Sequence, residues 1–246
     1  MPYRRLPTTD KARAKVLNTA LELATKRDVN KIAFSEETLL ELKQVKTVFE
    51  STLQIYKTDL KRQLEKSKNY KASMIKAALY ISHFIKVLYM AVEREEIKED
   101  SLKFYELDSF AGKIPSLNKE EELLKWGAKI IEGEQKRIHK GGNPVYSPSI
   151  ALVKIKLEEF KEIAVYMQNM RRVTNISFER MKKNRVATNK FICNLWNEIE
   201  ENIKSDNAKH KRQIALDYGI VYIFRRNEKK KLTANDLQTD LLFDFN

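Results

Sequence analysis

Apolar positions recur at helical spacing through most of this 246-residue chain. After Thr9 or Asp10, either of which can cap a helix, Ala12, Val16, Ala20, Leu21 and Ala24 line one side of a first helix, about Lys11 to Lys26. Ser35 reads as the next cap, with Glu36 and Glu37 placed to suit the positive end of a helix dipole. Leu42, Val45, Phe49, Leu53, Tyr56, Leu60 and Leu64 then follow at steps of three or four, close to the period of a straight helix. Ser67–Asn69 is a weak break before a helix of about Tyr70 to Glu95. Its stretch Ala77 to Val92 is apolar on nearly every side, which predicts a place in the middle of a bundle.

The segment from Glu95 to Leu117 carries Gly112 and Pro115 and reads as irregular. Asn118 is the predicted cap of the helix KEEELLKWGAKIIEGEQKRIHK, whose acids lead and whose bases trail. GGNPVYSPS, Gly141 to Ser149, is the strongest break. Gly141 suits a helix C-terminus, and Ser147–Pro148 suits a cap followed by proline at the first helical position. From there to about Ser205 no Gly or Pro occurs, so the pattern predicts one very long helix, or two with a joint near Val173 to Ser177. A short helix follows over Ala208 to Asp217. YGIVYIFR, Tyr218 to Arg225, is β-branched and aromatic, a strand signal that needs a partner: Asn30 to Phe34, or another chain.

The reading is therefore all-α: an up-and-down bundle of long helices with a small C-terminal strand element. Residues 1–10 form a basic N-terminal arm, 11–228 the bundle with its strand near 218–225, and 229–246 a flexible tail. The expected core includes Phe49, Tyr56, Leu79, Ile81, Ile85, Leu88, Ile155, Phe160, Ile192 and Trp196.

Composition supports a helical chain, with 6 Gly and 5 Pro among 33% charged residues. A single cysteine, Cys193, allows no intrachain disulfide and suits a reducing compartment. No apolar run follows the basic N-terminus, and Ala77 to Val92 holds His83 and Lys86 and is short for a bilayer. The expectation is a cytoplasmic protein without a membrane partner. The net charge of +13 is unevenly placed. Gln168 to Lys190 holds seven bases and one acid, and Lys204 to Lys231 nine bases and three acids. Ala91 to Leu124 reverses this, with five bases and ten acids. Separated zones of this kind attract polyanions to one face.

Several stretches resemble an uncharacterised family of bacterial proteins: MPYRRLP at Met1–Pro7, LYISHFIKVL at Leu79–Leu88, PSLNKEEELLKWGAKIIEGEQKR at Pro115–Arg137, GGNPVYSPSIALVKI at Gly141–Ile155, and YGIVYIFR. The resemblance runs from Met1 to about Glu228. It implies a fold shared across relatives and a bacterial cytoplasmic setting, and no activity.

Enzymatic signals are weak. His83, His139 and His210 lie in three separate segments without metal-ligand spacing, so no metal or cofactor is expected. His83 reads as a core histidine and Cys193 as a small buried hydrophobe. Glu132 and Glu134, two apart on a helix, point to different faces and cannot converge as an acid–base pair. GGNP is too short for a phosphate-binding loop with its lysine, and reads as a connector with a phosphate-contacting turn as the minority alternative.

The basic windows are the better lead. Arg171, Arg172, Arg180, Lys182, Lys183, Arg185 and Lys190 form an acid-poor helix surface that can track phosphates. In the arm, Tyr3 can stack on a base while Arg4 and Arg5 reach phosphates; alternatively the arm folds back, with Tyr3 and Leu6 covering the bundle end. In the tail, Leu241, Leu242 and Phe243 lie among acids, a composition suited to a partner's groove, and QTDLLF loosely resembles peptides that bind the bacterial sliding clamp. The leading expectation is a non-enzymatic protein that binds nucleic acid or a ribonucleoprotein particle. The alternative is a protein–protein scaffold or homo-oligomer.

Overall fold

The structure is a computed structural model and describes residues 3–26, 32–204 and 207–224. It is all-α with one small strand pair, as the hydrophobic pattern predicts. Its elements are β1 (Tyr3–Arg4), α1 (Asp10–Lys26), α2 (Glu36–Glu93), α3 (Glu120–His139), α4 (Ile150–Asn202), α5 (Ala208–Asp217) and β2 (Tyr222–Ile223). Short 3-10 turns at Glu99–Tyr105 and Asp108–Phe110 fill the irregular acidic segment.

The chain divides into two compact units: Met1–Lys57 with Ile176–Asn246, and Thr58–Asn175. α2 and α4 each contribute residues to both. In the first unit, Leu17 and Ala20 of α1, Leu42 and Phe49 of α2, Ile192, Leu195 and Trp196 of α4, and Ala215 and Tyr218 form a buried core. In the second, Ile81, Phe84, Ile85 and Leu88 of α2 pack with Tyr105, Leu123, Ile130, Leu157 and Phe160. Each such Leu, Ile or Phe, fully buried, contributes about 1.5–3 kcal/mol relative to exposure.

The caps show how local chemistry sets the elements. Thr9 Oγ1 accepts from Ala12 N at 3.1 Å, and Ser35 Oγ from Thr38 N at 3.2 Å. Asn207 caps α5 by accepting from Lys209 N. α3 differs from expectation: Lys119, not Asn118, is at its cap position and makes no side-chain bond, and the first turn is held instead by Ser116 and Tyr70 hydroxyls donating to Glu122 and Glu120. α4 begins at Ile150, later than Ser147–Pro148 suggests. The backbone pairs Tyr146 with Ser149 across that dipeptide, and Ser149 Oγ then faces Leu152 N at 3.4 Å.

Further expectations are corrected, and the open choice for the long C-terminal helix is resolved. Ser67–Asn69 does not break α2, because none of these residues removes a backbone donor or forces a left-handed turn. α4 is one helix, with no joint near Val173. Ala77 to Val92 is not enclosed on all sides: Leu79 is 48% exposed and Met90 46%, and Ile155 on α4 is 51% exposed. In the second unit's core, α3, α4 and the 3-10 turns cover the Ile81–Phe84–Ile85–Leu88 side and leave the other side of α2 to solvent. His83 lies on that uncovered side and is exposed, not a core residue, and Cys193 is half-buried. α2 also contains an 18-residue window of mean hydropathy 1.4, long and apolar enough by composition to cross a membrane, although 39% of it is buried within the protein.

Candidate functional site

β2 finds its partner in the N-terminal arm; of the expected alternative, Asn30–Phe34, residues 30 and 31 lie outside the described residues. Tyr3 pairs with Ile223 and Arg4 with Tyr222, antiparallel, and Arg5 N donates to the Val221 carbonyl at 2.8 Å. The arm has ladder donors and acceptors within reach, which a lone strand lacks. Arg4 Nη1 lies 3.4 Å from Glu200, whose other oxygen accepts from the Tyr222 hydroxyl at 2.5 Å. Burial, then the neighbouring Glu200 carboxylate, pushes the Tyr222 phenol above its ordinary range. Arg4 is thus engaged inside the protein. Tyr3 is 50% exposed and Leu6 38%, so the folded-back arm does not bury them; Arg5 is exposed too.

The root of the arm is clamped to α4. Asp10, the first residue of α1, accepts from Arg185 Nε at 2.8 Å and Nη2 at 2.7 Å, a two-pronged ion pair. Arg13, buried, donates to Asn189 Oδ1 at 2.9 Å, to the Thr8 carbonyl and to Asp10. Burial pushes the Asp10 carboxyl up, but the Arg185 and Arg13 guanidiniums outweigh it and hold the group below the usual carboxylate range. Arg185 also stacks 6.0 Å from the Phe178 ring.

The structure therefore sorts the predicted contacts. Arg185 and Arg4 are structural ion-pair partners, and Lys182 lies 3.8 Å from Glu179. Arg180, Lys183 and Lys190 are exposed on α4 and make no ion pair among the described residues. At 3.6 residues per turn they fall within an arc of about 80° and span about 15 Å of helix. Arg171 and Arg172 belong to the second unit, where Arg171 sits 5.5 Å above the Tyr70 ring. Leu241, Leu242 and Phe243 lie outside the described residues.

A cavity of about 550 Å³ opens in the first unit beneath the arm. Arg5 to Thr9, the α1 face at Ala12, Lys15, Val16 and Thr19, and Leu216 with Gly219 to Val221 enclose it, and Trp196 also lines it. Trp196 has no exposed surface, and its indole Nε1 has no hydrogen-bond partner. Gly219 takes φ +87° at the end of α5, which turns the chain back over α1, with Thr19 next to it.

The remaining sequence candidates resolve as structural. Gly142 N bonds to the Arg137 carbonyl and Gly141 N to that of Ile138, the helix-ending pattern that a left-handed Gly141 permits. The Gly-Gly amides are therefore used internally, which fits a connector and not a phosphate turn. Glu132 and Glu134 do diverge: the first is exposed beside Lys136, the second wholly buried. Glu134 accepts from the Tyr105 hydroxyl, from Arg137 Nε and Nη2 at 3.0 and 2.9 Å, and from Val145 N at 2.9 Å. Burial raises its pKa, and these four donors more than reverse that, so it stays below the ordinary carboxylate value. No cluster of three or more His, Cys, Asp or Glu able to hold a metal occurs among the described residues.

Sequence reading missed the Asp10–Arg185 clamp and the cavity. Asp10 signalled only a cap, and nothing in a linear pattern marks which of seven bases will be consumed by it. The fold and this surface define a helical protein in which Arg180, Lys183 and Lys190 on α4 are exposed without an ion pair among the described residues, with a separate lined cavity. A scan against protein-family models, a search of curated proteins and a search of solved structures each found no match.

Proposed function

We propose that the protein is a non-enzymatic binding protein that contacts the phosphate backbone of nucleic acid, alone or within a ribonucleoprotein particle. Arg180, Lys183 and Lys190 are its primary contacts, with Tyr3 and Arg5 of the arm as secondary ones. The observation that carries this reading is the contrast on α4: Arg185 and Lys182 have carboxylate partners, whereas these three exposed cations have none among the described residues. An unpaired cation releases counterions from phosphates without first breaking an internal bond. The contacts include no base-reading module, so binding is through backbone and shape.

The test is fluorescence anisotropy of the full chain with a 30-base-pair DNA duplex and a single-stranded RNA, across a salt series. Affinity is expected to fall with salt for both. Changing Arg180, Lys183 and Lys190 together to Gln should reduce the magnitude of the duplex log–log slope by roughly 2.7, about 0.9 for each lost contact. Salt-independent binding, or an unchanged slope in that variant, refutes the reading.

A second reading, a homo-oligomer or scaffold, is favoured by one observation in the second unit. Ile75 is 69% exposed, Leu79 48% and Met90 46% along one side of α2. Apolar side chains repeated along a helix are a common packing surface for another helix.

A further inference from the structure

We propose that the uncovered side of α2 in the second unit is a docking face for an anionic lipid surface, on which the helix lies without crossing it. Ile75 is 69% exposed, Leu79 48% and Met90 46%. At 3.6 residues per turn these three fall within an arc of about 60°, opposite the Ile81, Phe84, Ile85 and Leu88 side that packs into the core. Lysines surround them. Lys71 and Lys76 flank the strip on either side, and Lys68 and Lys86 lie along it. All four are exposed and make no ion pair among the described residues. From Lys66 to Val92 the chain has five lysines and no acid, and Glu65 and Glu93 bound the strip at its two ends.

Charge and shape choose the occupant. A second copy presenting the same side would set lysine against lysine, which is repulsive. A protein groove would have to enclose Lys86 between Leu79 and Met90, and lysine is depleted in the dry centre of protein interfaces. A lipid surface accommodates that mixture. Apolar tips enter the acyl boundary, while the lysine stems run beside them and hold their ammonium groups among the headgroup phosphates. The acidic segment adds orientation. Leu102, Tyr105, Leu107 and Leu117 fix it to the covered side of α2, and there Glu99, Asp100, Glu106 and Asp108 are exposed. A negative surface therefore attracts one side of this unit and repels the other. α2 does not span the bilayer in this arrangement, because Ile81, Phe84, Ile85 and Leu88 are already packed in the core.

This face uses none of the α4 cations, and it gives the exposed apolar residues of the scaffold reading a lipid occupant. The test is co-sedimentation of the full chain with vesicles of phosphatidylcholine and phosphatidylserine, seven parts to three, beside vesicles of phosphatidylcholine alone. The protein is expected to partition onto the anionic vesicles and to stay in solution with the neutral ones. Lys71→Gln, Lys76→Gln and Lys86→Gln together should weaken partitioning about a hundredfold. Ile75→Gln with Leu79→Gln should weaken it about tenfold. Both sets are surface changes, so the circular dichroism of each should match the parent's; should the apolar pair disturb it, Met90→Gln takes its place. Arg180→Gln, Lys183→Gln and Lys190→Gln together should keep vesicle binding within about threefold while weakening duplex binding, which separates this proposal from the nucleic-acid reading. No partition onto the anionic vesicles overturns the proposal. So do equal partition onto neutral ones, binding that survives both folded α2 variants, and binding lost only in the α4 variant. Self-association abolished by the α2 variants in a chain that ignores vesicles overturns it too, and gives the face to a second copy.

Discussion

Replacing Gly133 with alanine sets two physical effects against each other. Gly133 is in the middle of α3, where alanine is favoured over glycine by about 0.8–1.0 kcal/mol of helix propensity. On propensity alone the variant is more stable. The structure reverses that sign. A Cβ at 133 would lie 2.5 Å from Tyr105 Cδ1, 2.7 Å from the Phe104 carbonyl oxygen and 2.9 Å from Tyr105 Cγ. The carbonyl is backbone. The Tyr105 ring is fully buried, and its hydroxyl is held by Glu134 and, at 2.8 Å, by Arg137 Nε, so it cannot swing away without breaking both bonds. Overpacking costs about 1–3 kcal/mol, and contacts this short with pinned atoms belong at the upper end of that range. After the propensity gain, about 1–2 kcal/mol of destabilisation remains. Gly127 is the control. A Cβ there meets the Leu157 methyls at 2.7 and 2.8 Å and Ile81 Cδ1 at 3.1 Å, all ends of side chains that can rotate. Gly127→Ala should therefore stay within about 1 kcal/mol of the parent. The assay is urea unfolding followed by Trp126, which stacks edge-on to Phe110 in the second unit, in a Trp196→Phe background. With a slope of about 1–3 kcal/mol per molar, Gly133→Ala lowers the midpoint by roughly 0.3–2 M. A midpoint equal to or above the parent's refutes the argument that α3 approaches the Phe104–Tyr105 backbone too closely for a side chain.

Glu134→Gln leaves Arg137 buried without its carboxylate, and should cost about 3–5 kcal/mol at pH 7 by calorimetry or urea midpoint. The pH dependence follows from the lowered pKa. The folded carboxyl holds its proton less tightly than the unfolded one, whose ordinary value is 4.5, so its contribution is whole above about pH 4.5 and is lost as pH falls through the folded value. The gap between parent and variant should therefore narrow as the pH falls below about 4.5; a gap that stays constant over that descent overturns this account. Asp10→Asn should cost about 1 kcal/mol of first-unit stability, since the pair is partly solvated. It also releases Arg185, so duplex binding should gain salt dependence by roughly 0.9 in log–log slope; a weaker slope would place Asp10 itself in the interface. Leu79→Gln with Met90→Gln should leave the helical spectrum intact and, should the chain self-associate through that side of α2, reduce the mass measured by light scattering; an unchanged oligomer removes α2 as its interface.

Much of the fold was legible because helix periodicity and capping are local. Thr9, Ser35 and the ends of α5 needed only neighbours within three residues. The misreadings came where the decision is tertiary. Leu79 and Ile155 have the right residue type for a core, but the second unit has too few elements to cover every apolar side of α2 and α4. His83 failed for the same reason. Ser67–Asn69 is merely polar, and a polar triplet breaks a helix only when something else satisfies the freed backbone groups.

The candidate site was less legible, and the reason is electrostatic. Sequence counts charges but not their partners. Seven bases and one acid between Gln168 and Lys190 look alike in a row, yet their fates differ once Asp10, about 175 positions away, reaches Arg185. A base consumed in this way positions the arm; a base left over is available to a ligand. The same logic applies to Arg4 and Arg5, adjacent in sequence. The strand ladder holds the arm so that Arg4 meets Glu200 while Arg5 borders the cavity. One residue of register thus separates a cation paired inside the protein from an exposed one beside the cavity, and a shift of the β1–β2 pairing by a single position would exchange their surroundings.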